Sequence, residues 1–284
     1  MLFYHLLNRL LPGSIGTRIR FYKKLSYPLS LKNPKTYNEK IHWRKEYDKN
    51  PLFQVCADKL LVRDYVKEKI GEEHLIPLLY SGDNVNPDTL HSLPDGYVVK
   101  ANHNSGPVFI VDNKEESDLD EICFKVNRQL KRPYATKNGE WWYKGIPRKV
   151  IVEKLLKDSS GNLPDDYKFC VFNRNGEYEV VLLMAYDRHS NLSFTFYDEN
   201  LEPVPSQVKD NFVLRPFKKP KNFELMVELA KKLAEDFDFC RVDLYNVDGE
   251  IYFGELTFAP AGGTEAYPYE FDRWMGDKWQ LPKR

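Results

Sequence analysis

Two short segments in the last fifth of the sequence carry charged side chains at spacings that suit phosphate and metal chemistry. The first is Arg241-Val-Asp243, and the second, beyond an Asp-Gly turn, contains Glu255 and Thr257. If the segments form a hairpin, side-chain alternation brings these residues to one face. Two adjacent carboxylates favour a cation between them, and Mg²⁺ is commonly held by one or two carboxylates and phosphate oxygens. Arg241 would then stabilise a phosphoryl group, although a surface aspartate with a cross-strand Arg–Glu ion pair fits the same pattern.

A lysine at the expected end of a strand is the second candidate. Lys100 precedes a small polar loop, Ala101-Asn-His-Asn-Ser-Gly106, whose backbone N–H groups could cradle a phosphate. The loop lacks the glycine spacing of a P-loop, which excludes that class of nucleotide-binding protein. Taken alone, Lys100 fits a solvated strand end better than a binding residue, and His103 fits a loop hydrogen-bonding partner as well as a catalyst.

A third segment leads from a strand into a polar stretch. It is Ile151-Val-Glu-Lys-Leu-Leu156, followed by residues 157–166. Its backbone donors and acceptors could hold the edge of an adenine between apolar side chains. The pattern alone does not separate this use from an ordinary strand end.

Helical and strand patterns predict the elements that would position these residues. Helical patterns cover Asn38–Tyr47, Gln54–Lys69, which Gly71 ends, and the amphipathic Phe223–Asp236. Strand patterns rich in β-branched and aromatic residues cover Gly96–Lys100, Lys149–Glu153, Tyr167–Phe172, Tyr178–Met184 and Ile251–Glu255. Asn-Arg-Asn-Gly at 173–176 and Asn-Val-Asp-Gly at 246–249 predict hairpin turns. We therefore expect an α+β chain in which helices flank mostly antiparallel sheets.

The composition bounds the class of protein. A chain of 284 residues with 42% hydrophobic and 30% charged residues predicts one large domain or two closely packed ones, outside the disordered and coiled-coil classes. Forty-two basic residues balance forty-two acidic ones, so the net charge of +0 argues against nucleic acid or any other general polyanion as a partner. The four cysteines lie far apart without a C-x-x-C pair. This spacing excludes zinc-ribbon, thioredoxin-like and disulfide-framework proteins and favours a reducing compartment.

The neutral total conceals a basic N-terminal arm. Residues 1–45 contain ten basic residues and one acidic residue, Glu39, and residues 1–11 have the apolar spacing of an amphipathic helix. Neither a secretory signal nor a membrane-spanning run is recognisable. We expect a terminal helix packed on the domain with its charges in water, which is the commoner arrangement, or peripheral contact of residues 1–30 with an anionic membrane surface.

Six segments occur in an order that resembles a known family. They are Ala57-Asp-Lys-Leu-Leu-Val-Arg-Asp-Tyr-Val66, Tyr97-Val-Val-Lys-Ala-Asn-His-Asn-Ser-Gly106, Pro164-Asp-Asp-Tyr-Lys-Phe169, Tyr186-Asp-Arg188, Phe239-Cys-Arg-Val-Asp-Leu-Tyr245 and Tyr252-Phe-Gly-Glu-Leu-Thr-Phe258. Together they resemble the TupA-like family of the ATP-grasp superfamily, whose members join a carboxylate to an amine through an acyl-phosphate. The resemblance runs from about Asn38 to Pro282 and covers nearly the whole chain.

The resemblance implies a fold and an activity. The fold is the α+β ATP-grasp fold, in which two subdomains with antiparallel sheets enclose the nucleotide. Its implied divisions are the basic arm 1–45, a helical N-terminal subdomain 46–95, a small subdomain with the phosphate-covering loop 96–155, and a large subdomain with the metal site 156–284. The implied protein is a cytoplasmic ligase that uses ATP and Mg²⁺, at the inner face of the bacterial membrane if the arm binds lipid. Its substrates would be a carboxylate-bearing sugar, such as a uronic acid of a capsular or cell-surface polysaccharide or its precursor, and an amine from an amino acid or amino sugar.

The matched motifs imply the site residues. The nucleotide would contact Lys59, Lys100, the loop Asn104-Ser105-Gly106, the hinge Glu153-Lys154-Leu155-Leu156, Asp166 and Lys168. Lys59 and Lys100 would bind phosphates, residues 102–106 would cover them, and Mg²⁺ would be held by Asp243, Glu255 and Thr257. The catalytic residues would be Arg241, Lys100 and Arg188. Arg241 would stabilise the acyl-phosphate, Lys100 would act on the phosphates beside it, and Arg188 would hold a substrate carboxylate. Family members often carry Asn where this chain has Thr257 and Gly where it has Asn104, so these two positions depart from the pattern.

Three other functions fit parts of the sequence. A glycosyltransferase of the same pathways would carry an Asp-x-Asp motif at a strand end, and the sequence has none in that setting. A sugar or lipid kinase would also use ATP and Mg²⁺ but would leave the phosphate on its product. A binding module without catalysis would retain the fold, but the joint presence of Lys59, Lys100, Asp243 and Glu255 favours an active enzyme.

The tryptophan-rich segments have two interpretations. Trp141-Trp142-Tyr143, Trp274 and Trp279 could stack on a sugar ring. Core or helix packing is the more common use of such residues, and we expect it here.

Overall fold

The computed structural model describes residues 13–132, 134, 139–186, 192–206 and 211–282. The helices are α1 (Gly13–Leu25), α2 (Tyr37–Tyr47), α3 (Leu52–Ala57), α4 (Val62–Ile70), α5 (Pro87–Ser92), α6 (Leu119–Leu130), α7 (Phe223–Ala234) and α8 (Tyr269–Lys278). The strands are β1 (Leu78–Gly82), β2 (Tyr97–Ala101), β3 (Phe109–Val111), β4 (Val150–Lys154), β5 (Asp166–Arg174), β6 (Glu177–Tyr186), β7 (Ser193–Tyr197), β8 (Pro203–Val204), β9 (Phe239–Val247) and β10 (Glu250–Thr257). Single 3-10 turns lie at Glu72–His74, Lys114–Glu116, Trp141–Tyr143 and Pro260–Gly263.

The strands form two antiparallel sheets. Sheet A has four strands in the order β1-β4-β2-β3, and sheet B has six in the order β10-β9-β5-β6-β7-β8. All the pairings between these strands are antiparallel. The expected α+β class with antiparallel sheets is therefore confirmed.

Two tight turns set the registers of the hairpins in sheet B. In each turn the first asparagine accepts a hydrogen bond from a glycine N–H, 2.8 Å from Gly176 to Asn173 and 2.9 Å from Gly249 to Asn246. The glycines have φ of 96° and 102°, a region in which a residue with a Cβ is strained. Both turns were expected from the sequence, and both connect the strand pairs that were predicted, β5 with β6 and β9 with β10.

Helix α7 covers one face of sheet B and leaves the other face for the site. Its buried residues Phe223, Met226 and Leu229 belong to the main core together with Phe169 and Val242 of the sheet. Because side chains alternate along a strand, the residues between these core positions on β5 and β9 lie on the opposite face.

Sheet A has its own smaller core. Val99 and Val152 pack with α6 residues such as Val126. The alternating residues Lys100 and Glu153 consequently lie on the face away from α6.

One predicted helix is wrong because it is interrupted. The pattern over Gln54–Lys69 predicted one helix, but α3 ends at Ala57 and α4 begins at Val62. Asp58 accepts hydrogen bonds from the Leu60 N–H and from the Asn102 side chain, both at 2.8 Å. The second of these bonds comes from a residue distant in the sequence, so helix periodicity gave no sign of the break.

The sequence patterns also missed several elements. Helices α1, α5, α6 and α8 and strands β1, β3, β7 and β8 were not predicted, and β9 was anticipated only as the partner of β10. The subdomain boundaries at 95/96 and 155/156 stay predictions. Sheet A nevertheless takes its strand β1, Leu78–Gly82, from residues before the first boundary.

The last part of the expected basic arm belongs to the domain core. Arg44 is fully buried, where it contacts Asp238 and donates to the carbonyl of Phe239 at 2.8 Å. Lys40 donates to the carbonyl of Gly276 at 2.7 Å, and Lys45 donates to the carbonyl of Gly262 at 2.6 Å. Helix α2 therefore crosses the predicted arm boundary at residue 45 and packs as part of the domain, and this boundary stays a prediction like the others.

The expected amphipathic helix of residues 1–11 lies outside the described residues. In the part of the chain that the structure covers, no helix has both the length and the apolarity required to cross a membrane.

Candidate active site

The two sheets turn their polar faces toward one cleft, which we call the inter-sheet cleft. Its volume is about 290 Å³. Of the site residues that the sequence suggested, those lining it are Lys59, Lys100, Asn104, Ser105, Gly106, Glu153, Lys154, Leu155, Leu156, Asp166, Lys168, Asp243 and Glu255. Arg241 and Thr257 do not line the cleft but are hydrogen-bonded to its acidic residues, and Arg188 lies outside the described residues. Residues from five separate sequence motifs thus meet at one place.

Arg241 links the acidic residues of the cleft. Its Nε donates to Oδ1 of Asp243 at 2.7 Å, and its Nη2 donates to Oδ2 of Asp243 at 2.8 Å. Nη2 also donates to Oε1 of Glu255 at 2.9 Å and to the Thr257 hydroxyl at 3.0 Å. The predicted arrangement of these four residues on one face is therefore confirmed. Charge-assisted bonds of this kind hold the guanidinium plane in a fixed orientation.

A β-bulge at Gly254 brings Glu255 to this face. Phe253 pairs with Leu244, but the next pair is Glu255 with Asp243, so Gly254 is an extra residue in β10. Without the extra residue, Glu255 would pair with Val242 and turn toward the core. A Cβ on Gly254 would lie 3.0 Å from the carbonyl oxygen of Asp243, which explains a glycine at this position.

Lys168 places a second positive charge, besides Arg241, next to the acidic pair. It faces Asp243 across β5 and β9, and its Nζ lies 2.6 Å from Oδ2 of Asp243. Asp166, two residues earlier on the same face, has its Oδ2 3.8 Å from the same ammonium group.

The charged groups in and around the cleft shift one another's pKa values. Burial would raise the pKa of Glu255, but Arg241, Lys59 and Lys168 outweigh it and lower the pKa to about 2. Burial opposes the charge on Arg241, but Asp243 and Glu255 more than compensate and raise its pKa. Burial lowers the pKa of Lys59, an effect that Glu255 partly offsets. Glu255 is therefore anionic throughout the physiological range.

Lys100 is held on the opposite wall by an acidic partner. Its Nζ lies 2.6 Å from Oε2 of Glu153, and Arg63 of α4 lies 3.2 Å from Oε1 of the same carboxylate. The cross-strand pairs Val98–Glu153 and Lys100–Ile151 place Lys100 and Glu153 diagonally on one face of sheet A. The solvated strand end that Lys100 alone suggested is wrong, because its side chain is only 16% exposed.

Lys59 connects the helix break to the polar loop. Its N–H donates to the carbonyl of Asn102 at 3.2 Å, and its Nζ donates to the carbonyl of Asn104 at 2.6 Å. The loop is closed on itself by a 2.9 Å bond from the Gly106 N–H to Oδ1 of Asn104. The interruption between α3 and α4 thus has a consequence for the site, because it directs Lys59 into the cleft.

The loop histidine has a structural role. His103 is buried, and its Nε2 lies 3.3 Å from the carbonyl oxygen of Arg132. Burial lowers the pKa of His103, which favours the neutral imidazole as a donor to that carbonyl. The interpretation of His103 as a loop hydrogen-bonding partner is confirmed.

The expected adenine hinge, residues 153–156, comprises the last two residues of β4 and the two that follow it. The N–H groups of Lys154 and Leu155 donate to the carbonyls of Pro77 and Gly96, at 3.0 and 2.8 Å. The N–H of Leu156 donates to none of the described residues. Apolar residues that line the cleft include Ile76, Val98, Ile110 and Leu163. A flat ring would find both an edge donor and apolar faces here.

The donor set suits a magnesium ion in part. No group of three or more His, Cys, Asp or Glu side chains that could hold a metal occurs among the described residues. Asp243 and Glu255 supply two carboxylates, which is sufficient for Mg²⁺ when phosphate and water oxygens complete its shell. The Thr257 hydroxyl donates to Oε1 of Glu255 at 3.1 Å, so it supports that carboxylate from behind, and its assignment as a metal ligand stays a prediction.

The tryptophan-rich segments pack in the core. Trp142 and Trp279 are each 1% exposed, and Trp141, Tyr143 and Trp274 pack against the main core. Core packing, the expected use, is therefore confirmed for these residues.

Sequence reasoning missed several residues of the site, among them the charged Arg63, the glycine of the bulge and the apolar lining of the cleft. Arg63 was quoted only within a matched motif, because a helix position gives no sign of its partner Glu153. Gly254 had a usable signal, since a glycine inside a strand pattern often marks a bulge.

Comparison with known proteins gives a family match. Residues 39–280 match the model of a family described as TupA-like ATPgrasp. A search of curated proteins found no match.

Several solved structures have a similar arrangement over part of their length. The D-alanine–D-alanine ligase from Bacillus anthracis complexed with ATP is 18% identical with a TM-score of 0.46, over 79% of this chain and 63% of that one. The D-alanine–D-alanine ligase from Helicobacter pylori is 14% identical with a TM-score of 0.45, over 80% and 62%. The N5-carboxyaminoimidazole ribonucleotide synthetase from Thermus thermophilus is 14% identical with a TM-score of 0.43, over 86% and 57%. This chain therefore spans less than two thirds of the length of these structures.

Proposed function

Because the chain belongs to the TupA-like ATP-grasp family, we propose that it is an ATP-dependent ligase that joins a carboxylate to an amine. The carboxylate is activated as an acyl-phosphate, and the products are an amide, ADP and phosphate. The observation that carries the proposal is the inter-sheet cleft, in which Lys59, Lys100 and Lys168 surround the acidic pair Asp243 and Glu255. Such a site combines cations for phosphate groups with carboxylates for a metal ion.

The first chemical step is phosphoryl transfer. A carboxylate oxygen of the substrate attacks the γ-phosphorus of ATP, and the bond from that phosphorus to the β–γ bridging oxygen breaks. ADP leaves with the electron pair. This reaction needs alignment and charge neutralisation more than covalent help from the protein. Lys59 and Lys100 supply positive charge from the lining of the cleft, and Arg241 supplies it through its hydrogen bonds to Asp243 and Glu255.

The second step forms the amide. The amine attacks the acyl carbon, the bond from that carbon to the phosphate oxygen breaks, and the nitrogen loses a proton to a base or to water. Free water would compete with the amine for the acyl-phosphate, so the site must exclude it. We assign this role to the loop Asn104–Gly106, which Lys59 holds over the cleft by the bond to the Asn104 carbonyl.

Asp243 and Glu255 are the residues that would hold Mg²⁺. The ion would supply charge neutralisation for the ATP phosphates. Arg241 hydrogen-bonds both carboxylates, and Lys168 contacts the carboxylate of Asp243.

The identity of the substrates rests on the resemblance of the sequence motifs. We propose a uronic acid of a capsular or cell-surface polysaccharide, or its precursor, as the carboxylate, and an amino acid or amino sugar as the amine. The protein would act in the cytoplasm, and residues 1–30 would contact the inner face of the membrane. Arg188 stays a proposed ligand of the substrate carboxylate.

A screen of ADP release tests the proposed function. The protein is incubated with ATP, Mg²⁺ and pairs drawn from panels of uronic acids and amines. We expect stimulation by one carboxylate–amine pair and a product with the mass of an amide. Asp243→Asn should abolish the release, whereas Asp83→Asn, which alters a surface ion pair with Lys149, should not. A product that retains the phosphate would instead identify a kinase, and full activity of Asp243→Asn would contradict the metal assignment.

A further inference from the structure

A second cavity lies next to the inter-sheet cleft on the same face of sheet B, and we call it the sheet B cavity. Its volume is about 180 Å³, roughly six times the share of liquid volume that one water takes. The residues that line it are Tyr37, Cys170, Leu183, Phe194, Phe196, Asn211, Phe212, Arg241, Pro260, Ala261, Glu265, Tyr267 and Met275. The function proposed above uses only Arg241 from this set.

One row of cross-strand partners runs through both spaces. The row is Glu255–Asp243–Lys168–Leu183–Phe196, taken across β10, β9, β5, β6 and β7. Its first three members line the inter-sheet cleft, and its last two line the sheet B cavity. Neighbouring strands are about 4.8 Å apart, so a molecule in the cavity lies one strand from Lys168.

Arg241 joins the two spaces. Its Nε and Nη2 hold Asp243 and Glu255 of the cleft, while the residue also lines the sheet B cavity. Its remaining nitrogen, Nη1, donates to none of the residues that the structure describes. A carboxylate in the cavity could therefore accept a hydrogen bond from Nη1 of Arg241, at the end of the cavity next to the inter-sheet cleft.

Two buried polar atoms in the cavity wall lack a hydrogen-bonding partner among the described residues. They are the hydroxyl oxygen of Tyr37 and Oδ1 of Asn211. The Asn211 side chain is oriented by a 3.5 Å contact from its Nδ2 to the carbonyl of Leu192. The thiol of Cys170 is a polar group beside Tyr37, and a thiol is a weak partner. Unpaired buried polar atoms cost free energy, so a ligand that supplies donors to them would bind favourably.

The remaining walls suit a compact organic molecule. Phe194, Phe196 and Phe212 form a stacked set of rings, with centroid distances of 5.2 Å between Phe194 and Phe212 and 5.9 Å between Phe196 and Phe212. Aromatic faces pack against the C–H groups of a ring and attract cations. Glu265, which also lines the cavity, adds a carboxylate that can accept from hydroxyl or ammonium groups.

We propose that the sheet B cavity binds the carboxylate substrate, a small molecule whose carboxylate meets Arg241 and whose O–H or N–H groups meet Asn211 and Tyr37. The inference rests on the proposed ligase function and adds the location and the chemical class of the substrate. Uronic acids and amino acids share this chemistry, because both carry a carboxylate and nearby hydrogen-bond donors. Aliphatic carboxylates without donors lack it.

The experiment measures the carboxylate and the nucleotide separately. ADP release is titrated with uronic acids, amino acids and donor-free aliphatic carboxylates, and binding of the same panel to the full chain is followed by saturation-transfer NMR. We expect uronic acids or amino acids to bind and donor-free carboxylates not to. Asn211→Leu and Leu183→Trp should raise the KM for the carboxylate at least about tenfold, the size of one lost hydrogen bond or more, with the KM for ATP unchanged within about twofold. Asn200→Leu, at an exposed turn, is the matched control.

Tyr37→Phe is a smaller change that tests the cavity even if the larger substitutions prevent folding. Tyr37→Phe removes a hydroxyl that has no partner among the described residues, so the melting temperature should stay the same or rise while the carboxylate binds more weakly. Unchanged carboxylate KM in the folded variants would overturn the cavity assignment while leaving the ligase function intact. If no carboxylate stimulates ADP release, the function proposed above fails. NMR signals that Leu183→Trp abolishes would then still support the pocket, and their absence for the whole panel would overturn it.

Discussion

Lys168 lies on β5 directly opposite Asp243 on β9, with its ammonium nitrogen 2.6 Å from Oδ2 of that carboxylate. Arg241 binds the same carboxylate through two nitrogens. A divalent cation that binds Asp243 must therefore compete with the positive charge of Lys168. In the proposed function, Lys168 would therefore lower the affinity of the acidic pair for a metal ion alone, and the negative charge of bound phosphates would offset this effect.

Replacement of Lys168 should change the affinity of the acidic pair for a metal ion when no nucleotide is present. Lys168→Met should bind Mn²⁺ at least about tenfold more tightly than the native protein, because a neighbouring positive charge is lost. Electron paramagnetic resonance of free Mn²⁺ measures this affinity directly. Lys157→Met, which alters a surface pair with Asp112, serves as the control and should have no effect. Equal Mn²⁺ affinity in all three proteins would show that Lys168 does not restrain the site.

Lys100 should be required for nucleotide binding but not for the fold. Its side chain lies in the inter-sheet cleft, and Arg63 would still neutralise Glu153 if the lysine were absent. Lys100→Met should weaken binding of a fluorescent ATP analogue at least about tenfold with little change in melting temperature. Lys149→Met, whose backbone carbonyl accepts from the Asn102 N–H but whose side chain pairs with Asp83 at the surface, should bind normally. Equal affinity in the two variants would remove Lys100 from the site.

The bulge at Gly254 should be intolerant of a side chain. A Cβ there would lie 3.0 Å from the carbonyl oxygen of Asp243 and 3.1 Å from the ring of Tyr245. Gly254→Ala should lower the free energy of unfolding by about 1–3 kcal/mol and weaken metal-dependent activity, because β9 and β10 must separate. Gly16→Ala in helix α1 meets only an ordinary contact at 3.5 Å and should be neutral or stabilising. Denaturant unfolding of both variants makes the comparison, and equal stabilities would contradict the role assigned to the bulge.

A buried histidine should make the fold sensitive to acid. Nε2 of His42 lies 3.1 Å from the carbonyl oxygen of Gly263, and burial, followed by the nearby Lys45, lowers the pKa of His42 to about 3. The unfolded chain takes up this proton below about pH 6.5, whereas the folded chain resists it, so stability falls as the pH drops from about 6.5 toward 3. Over this window the free energy of unfolding should fall with decreasing pH less steeply in His42→Gln than in the native protein, by about 1 kcal/mol per pH unit. Parallel slopes in urea unfolding between about pH 6 and 4 would contradict this prediction.

The hairpin that carries the acidic pair was predictable because its geometry is local. Asn-Val-Asp-Gly at 246–249 predicts a tight turn, and alternation places Arg241 and Asp243 on one face of their strand, but the bulge at Gly254 is needed to bring Glu255 to that face. Even here the one-residue shift at Gly254 was not foreseen. A register based on the turn alone would have paired Glu255 with Val242.

Other parts of the site depend on contacts between distant segments. The break before α4 arises from the bond between Asp58 and Asn102, so the pattern of residues 54–69 alone predicts a continuous helix. The sheet B cavity draws Tyr37 from α2, Asn211 from beyond β8 and Arg241 from β9. No spacing in the sequence relates these residues, because the fold of the whole domain brings them together.

In the proposed reaction the carboxylate passes through an acyl-phosphate, and oxygen labelling tests for this intermediate most directly. The carboxylate that stimulates ADP release is prepared with ¹⁸O in both carboxyl oxygens and converted to the amide, and the phosphate is analysed by mass spectrometry. Attack of a carboxylate oxygen on the γ-phosphorus followed by attack of the amine at carbon transfers that oxygen to phosphate. We predict one ¹⁸O atom in each molecule of released phosphate. Released phosphate without label, or phosphate that remains on the product, would contradict the ligase mechanism.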